Sequence, residues 1–215
     1  MPDREAVVRE LLRQQGRTYA QEAGIRLADR PSPLYQLLVL ANLLSARIGS
    51  DIAVAAAREL FAAGYRTPRA MLKATWQERV DALGRGHYRR YDERTSTMLG
   101  DGAQLLVDRW QGDLRKLHEE AGGDRRKLRA LLGEFPGIGP NGTDIFLREV
   151  QGVWPDVAPF VDERAADGAR ALRLPVRASS LAKLVNQKDL PRLVSALVRV
   201  AREKPAAEKI LGAVS

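Results

Sequence analysis

Leu131-Leu132-Gly133-Glu134-Phe135-Pro136-Gly137-Ile138-Gly139-Pro140-Asn141-Gly142 joins two helix-forming segments through a turn made almost entirely of glycine and proline. Gly137 and Gly139 can take backbone angles closed to other residues, and without a Cβ they let a ligand approach the main chain. Ile138 between them can turn inward and pin the loop to a core. Pro136 and Pro140 stiffen the turn, which lowers the entropy lost on binding. Beyond them a new helix opens, so its first N–H groups lack internal partners and lie at the positive end of the helix dipole. A phosphate suits such a place without any charged side chain. The plain alternative is a glycine-rich turn between two packed helices.

The rest of the chain is punctuated as helices. Apolar periodicity predicts helices over 3–15, stopped by Gly16, and over 34–48, a deeply buried segment. Asp51 is placed to cap 52–63, with Gly64 as its stop. Thr67-Pro68 has the order of a helix start, and Thr75-x-x-Glu78 is a capping box. Further helices are expected over about 92–110, 124–132, 143–150, 181–187 and 190–203, the last closed by Pro205. The longest connections fall at 17–33 and 152–159. No alternating run of β-branched residues is long enough for a sheet. The expected fold class is all-α.

Composition bounds the function. The 215 residues suffice for one large or two small domains. No apolar run reaches the length needed to span a membrane, and the first residues carry no secretory signal, so a cytoplasmic protein is expected. Cysteine is absent, which excludes disulfides, iron–sulfur clusters and thiolate zinc sites. His87 and His118 have no ligand-like spacing, so no metal is expected. Lys+Arg total 35 against 27 Asp+Glu, a net charge of +8, and such a field attracts polyanions. Charge alone does not separate nucleic acid from acidic proteins or membrane surfaces.

Four collinear segments carry a resemblance. Phe135-Pro136-Gly137-Ile138-Gly139 resembles the L-P-G-[IV]-G signature of the helix-hairpin-helix DNA glycosylases, the endonuclease III superfamily. Leu43-Leu44-Ser45-Ala46-Arg47 resembles that family's LLSAQ segment, Gly86-His87-Tyr88-Arg89-Arg90 its GLYNSKA segment, and Phe160-Val161-Asp162 its VDTH segment. The resemblance implies a six-helix barrel lobe at about 35–150 that carries the hairpin. It implies a second helical lobe formed by 1–34 and 151–215, with double-stranded DNA entering between the two. It further implies DNA contacts at Gly137, Ile138, Gly139, Asn141 and Gly142, and at Arg47 beside a lesion.

By the same resemblance Asp162 is the catalytic carboxylate. A carboxylate near the sugar would stabilise the positive charge that develops as an N-glycosidic bond breaks, and would orient water. Asp162 also stands where a helix N-cap would be, ahead of 163–172, and both fates are open. The lysine that attacks the sugar in bifunctional members is Asn141 here, and an amide is no amine nucleophile. The implied activity is therefore that of a monofunctional DNA N-glycosylase, a hydrolase of base excision repair. No cofactor is expected, apart from an optional monovalent cation at the hairpin. Tyr35, Tyr88, Trp154 and Phe160 are the candidates for stacking on an extruded base. Two other functions stay open: a catalytically silent helix-hairpin-helix DNA-binding protein, and a helical protein–protein adaptor. A monomer is expected.

Overall fold

A computed structural model describes residues 3–214, and among them every regular element is helical. In chain order these are α1 (Arg4–Gln15), α2 (Tyr19–Glu22), α3 (Pro31–Ser45), α4 (Ser50–Ala62), α5 (Pro68–Lys73), α6 (Trp76–Arg85) and α7 (Asp92–Trp110). There follow α8 (Leu114–Ala121), α9 (Arg125–Gly133), α10 (Pro140–Val150), α11 (Glu163–Ala171), α12 (Ala178–Leu181), α13 (Leu190–Arg202) and α14 (Lys204–Gly212). No helix is long and apolar enough to cross a membrane among the described residues. The chain divides into two compact units, one of residues 20–146 and one of residues 3–19 with 147–214.

Local chemistry sets most boundaries. Asp3 caps α1 by accepting from the amides of Glu5 and Ala6, and Gly16 closes it. Thr75 and Glu78 form the capping box of α6, while Thr67 caps α5 with Pro68 in its first turn. Asp51 does not cap α4: the cap is Gly49, and Asp51 sits in the first turn, where its charge favours the dipole. The helix expected over 34–48 is α3, displaced toward the N-terminus. It starts at Pro31 and ends at Ser45, because Ala46 is extended. Arg47 consequently lies on an exposed turn.

Other differences follow from proline's double role. α10 begins at Pro140, three residues before the expected start, because proline's fixed φ suits the first helical position, where no N–H bond is needed. Pro205 likewise opens α14 instead of merely ending α13. The segment expected as a helix over 181–187 is broken into the short α12 and 3₁₀ turns at Ala182–Leu184 and Gln187–Asp189. α8 was not expected, although Asp113 caps it and left-handed Gly122 ends it.

In the unit of residues 20–146, α3 is buried almost all round from Leu34 to Leu43, as a central helix must be. α4 packs on α3 and α6, and α7 packs on α5 and α6. Leu37, Leu60, Met71, Leu106, Leu132 and Phe146 fill this core. The other unit centres on α13, which packs against α1, α11 and α14 around Val7, Leu11, Leu193, Leu197 and Ile210. α11 meets α13 so closely that a Cβ on Gly168 would stand 1.9 Å from the Leu197 carbonyl oxygen.

Candidate nucleic-acid interface

The turn between α9 and α10 is anchored from three sides. Phe135 is buried and stacks on Trp110 of α7, ring centroids 5.7 Å apart. The Arg109 guanidinium lies 4.2 Å from the Trp110 ring centre and pairs with Glu134. Ile138 is buried, as its position between the glycines suggested. At the far side Thr143 donates to the Gly139 carbonyl from both its amide (2.9 Å) and its hydroxyl (3.1 Å). Arg129 of α9 pairs with Asp144 of α10 across the hairpin.

Within the turn, the Ile138 amide donates to the Phe135 carbonyl at 2.9 Å, and Gly137 has φ +83°. Proline second, a positive-φ glycine third and a closing bond from fourth to first residue make a type II β-turn. Gly137 must therefore be glycine; a Cβ there would also meet Asn42 Nδ2 at 2.5 Å. Gly139 differs from the expectation: its φ is not positive, and a Cβ would touch nothing within 4 Å. Gly142 is buried where α10 crosses the end of α3, and a Cβ would stand 2.4 Å from Ser45 Oγ.

The backbone amides of Gly137, Gly139, Asn141 and Gly142 have no acceptor among the described residues. Gly137 and Gly139 are exposed and Asn141 half-exposed, while Gly142 is buried. Unbonded amides on an exposed turn at a helix start are what an anion site requires.

Beside the turn lies a cleft of about 260 Å³ lined by Asn42, Ser45, Arg47, Tyr88, Arg94 and Gly137, among others. Three of the four collinear segments, distant in sequence, thus share one cleft. Arg47 and Arg94 are exposed and make no ion pair among the described residues, so their charge faces solvent. Burial pushes the Tyr88 phenol above its usual range and keeps it neutral. Sequence reasoning missed Asn42 and Arg94, whose only signal was a polar residue inside an apolar helix run and an arginine in the first turn of α7. Tyr35, Trp154 and Phe160 are buried packing residues.

Asp162 belongs to the other unit, and the structure shows it as a helix cap. Oδ1 accepts from the Ala165 amide at 2.9 Å, the N-cap bond of α11. Oδ2 accepts from Arg148 Nε at 2.8 Å and from Nη2 of the same guanidinium. The two side chains are only 4% and 2% exposed. Both oxygens of the expected catalytic carboxylate thus accept hydrogen bonds from inside the protein, Oδ1 one and Oδ2 two. Asn141 carries no amine, as the sequence already dictated.

No protein-family model matches the chain, and no curated protein matches it significantly. A solved structure with a similar fold is that of a trapped endonuclease III–DNA covalent intermediate, an estranged-adenine complex. It is 18% identical, with a TM-score of 0.50, over 90% of this chain and 82% of that one. At that identity the likeness is one of fold. The chain has an all-α fold like that of endonuclease III.

Proposed function

We propose that this protein binds double-stranded DNA through its backbone phosphates, using the turn at Pro136–Gly142, and that it does so without base-release chemistry at Asp162. The single observation that carries the reading is the set of exposed, unbonded amides at Gly137 and Gly139. They present N–H donors at the positive end of α10, and a phosphate satisfies both the hydrogen bonds and the dipole. Arg47 and Arg94 add exposed positive charge at the neighbouring cleft, and the net charge of +8 draws the polyanion in. DNA is the partner in the similar solved structure, which is a complex of endonuclease III. The buried Arg148–Asp162 pair favours binding over hydrolysis.

A second reading, release of a damaged base by a monofunctional glycosylase, has one observation in its favour. The cleft beside the turn is open and roomy, and lined by apolar as well as polar groups, as a base-accepting pocket would be. One experiment separates the two. Duplexes with intact, abasic and damaged bases are titrated by fluorescence anisotropy over a range of salt, and scored in parallel for free base. Salt-sensitive binding that Gly139→Val weakens about tenfold, with no base released, is the expected result. Wild-type affinity in Gly139→Val would remove the hairpin from the interface, and released base would favour the second reading.

A further inference from the structure

Asn42 sits on α3, in an otherwise apolar run, and donates from Nδ2 to the Pro136 carbonyl at 2.8 Å. Its Oδ1 is buried with no partner, and the residue is 7% exposed. A buried amide with an orphan oxygen is a cost that packing does not explain, since an apolar residue would fill the space without it. Pro136 O is an acceptor, so the amide cannot be turned the other way.

The bond lands on one particular peptide. Residues 135–138 form the type II turn, and its central peptide, between Pro136 and Gly137, is the unit that rotates when such a turn flips to type I. Glycine at 137 removes the steric bar to that flip, because it is at ease with either sign of φ. In a planar trans peptide the C=O and N–H point in opposite directions. Holding the Pro136 oxygen inward against α3 therefore holds the Gly137 N–H outward.

We propose that Asn42 is the positioning residue of the DNA-binding turn: it fixes the 136–137 peptide so that the Gly137 amide faces the phosphate. The proposal rests on the DNA reading above, and it names a residue 94 positions away from the turn it controls.

The test uses the full-length chain and two variants, Asn42→Leu, an apolar near-isostere, and Asn42→Asp, which keeps the shape and removes the donor. Asn42→Ser stands in should either fail to fold, as judged by thermal unfolding. The first readout is the nuclear Overhauser effect between Pro136 Hα and the Gly137 amide, strong in a type II turn and weak in type I. The second is duplex affinity. The expected result is a weakened Overhauser effect and affinity about tenfold lower in folded variants. An intact effect, or unchanged affinity once the effect is lost, overturns the proposal. If the wild type does not bind duplex at all, the DNA reading falls by itself, and the Overhauser effect still decides whether Asn42 holds the turn. If the wild type binds and Gly139→Val weakens it while the Asn42 variants behave as wild type, only the present inference falls.

Discussion

Asp162→Asn separates a catalytic carboxylate from a structural one, because the two roles predict opposite effects on folding. Asparagine retains an oxygen able to accept from the Ala165 amide, and it caps helices about as well as aspartate. The N-cap of α11 is therefore kept. What is lost is the negative charge facing Arg148, and the new amide turns N–H donors toward a guanidinium that has only donors. Arg148 is 2% exposed and cannot reach water. Breaking a buried pair by removing one partner costs about 3–5 kcal/mol, against about 1 kcal/mol for an ordinary cap. For a chain of this size that corresponds to a fall in melting temperature of roughly 6–20 °C. Arg148→Met combined with Asp162→Asn removes the stranded charge and should recover most of the loss, a clear departure from additivity. Urea and thermal unfolding followed by circular dichroism measure all three variants. Should Asp162→Asn unfold within about 1 kcal/mol of wild type, the carboxylate does not hold Arg148, and a catalytic role regains its standing.

The two hairpin glycines should behave differently. Gly137→Ala forces a positive φ on a residue with a Cβ and crowds Asn42, so it should destabilise by about 2–4 kcal/mol. Gly139→Ala meets nothing and should stay within about 1 kcal/mol of wild type in denaturant, while weakening duplex binding. In the other unit, Gly168→Ala drives a methyl into the Leu197 carbonyl and should cost about 3 kcal/mol or more, read from the urea midpoint. Borohydride reduction of the wild type with an abasic duplex should yield no covalent adduct, since Asn141 offers no amine; a trapped species would identify some other lysine as nucleophile.

Sequence by itself determined what lies within one helical turn of its cause. The caps at Asp3, Thr67 and Thr75, the stop at Gly16 and the glycine-proline turn at 136–140 were legible because each bond joins residues at most four apart. The class of the fold followed from the same local signals added along the chain. Proline was the ambiguous mark, since Pro140 and Pro205 begin helices as readily as they end them. The partners of the candidate residues fell to tertiary structure. Whether Asp162 is free or spent depends on Arg148, and the stance of the turn depends on Asn42, across 14 and 94 residues respectively. Such pairs leave no periodicity and no spacing to read. A side chain's charge is fixed by its own chemistry, but the partner that satisfies it is chosen only when packing brings distant backbone segments together.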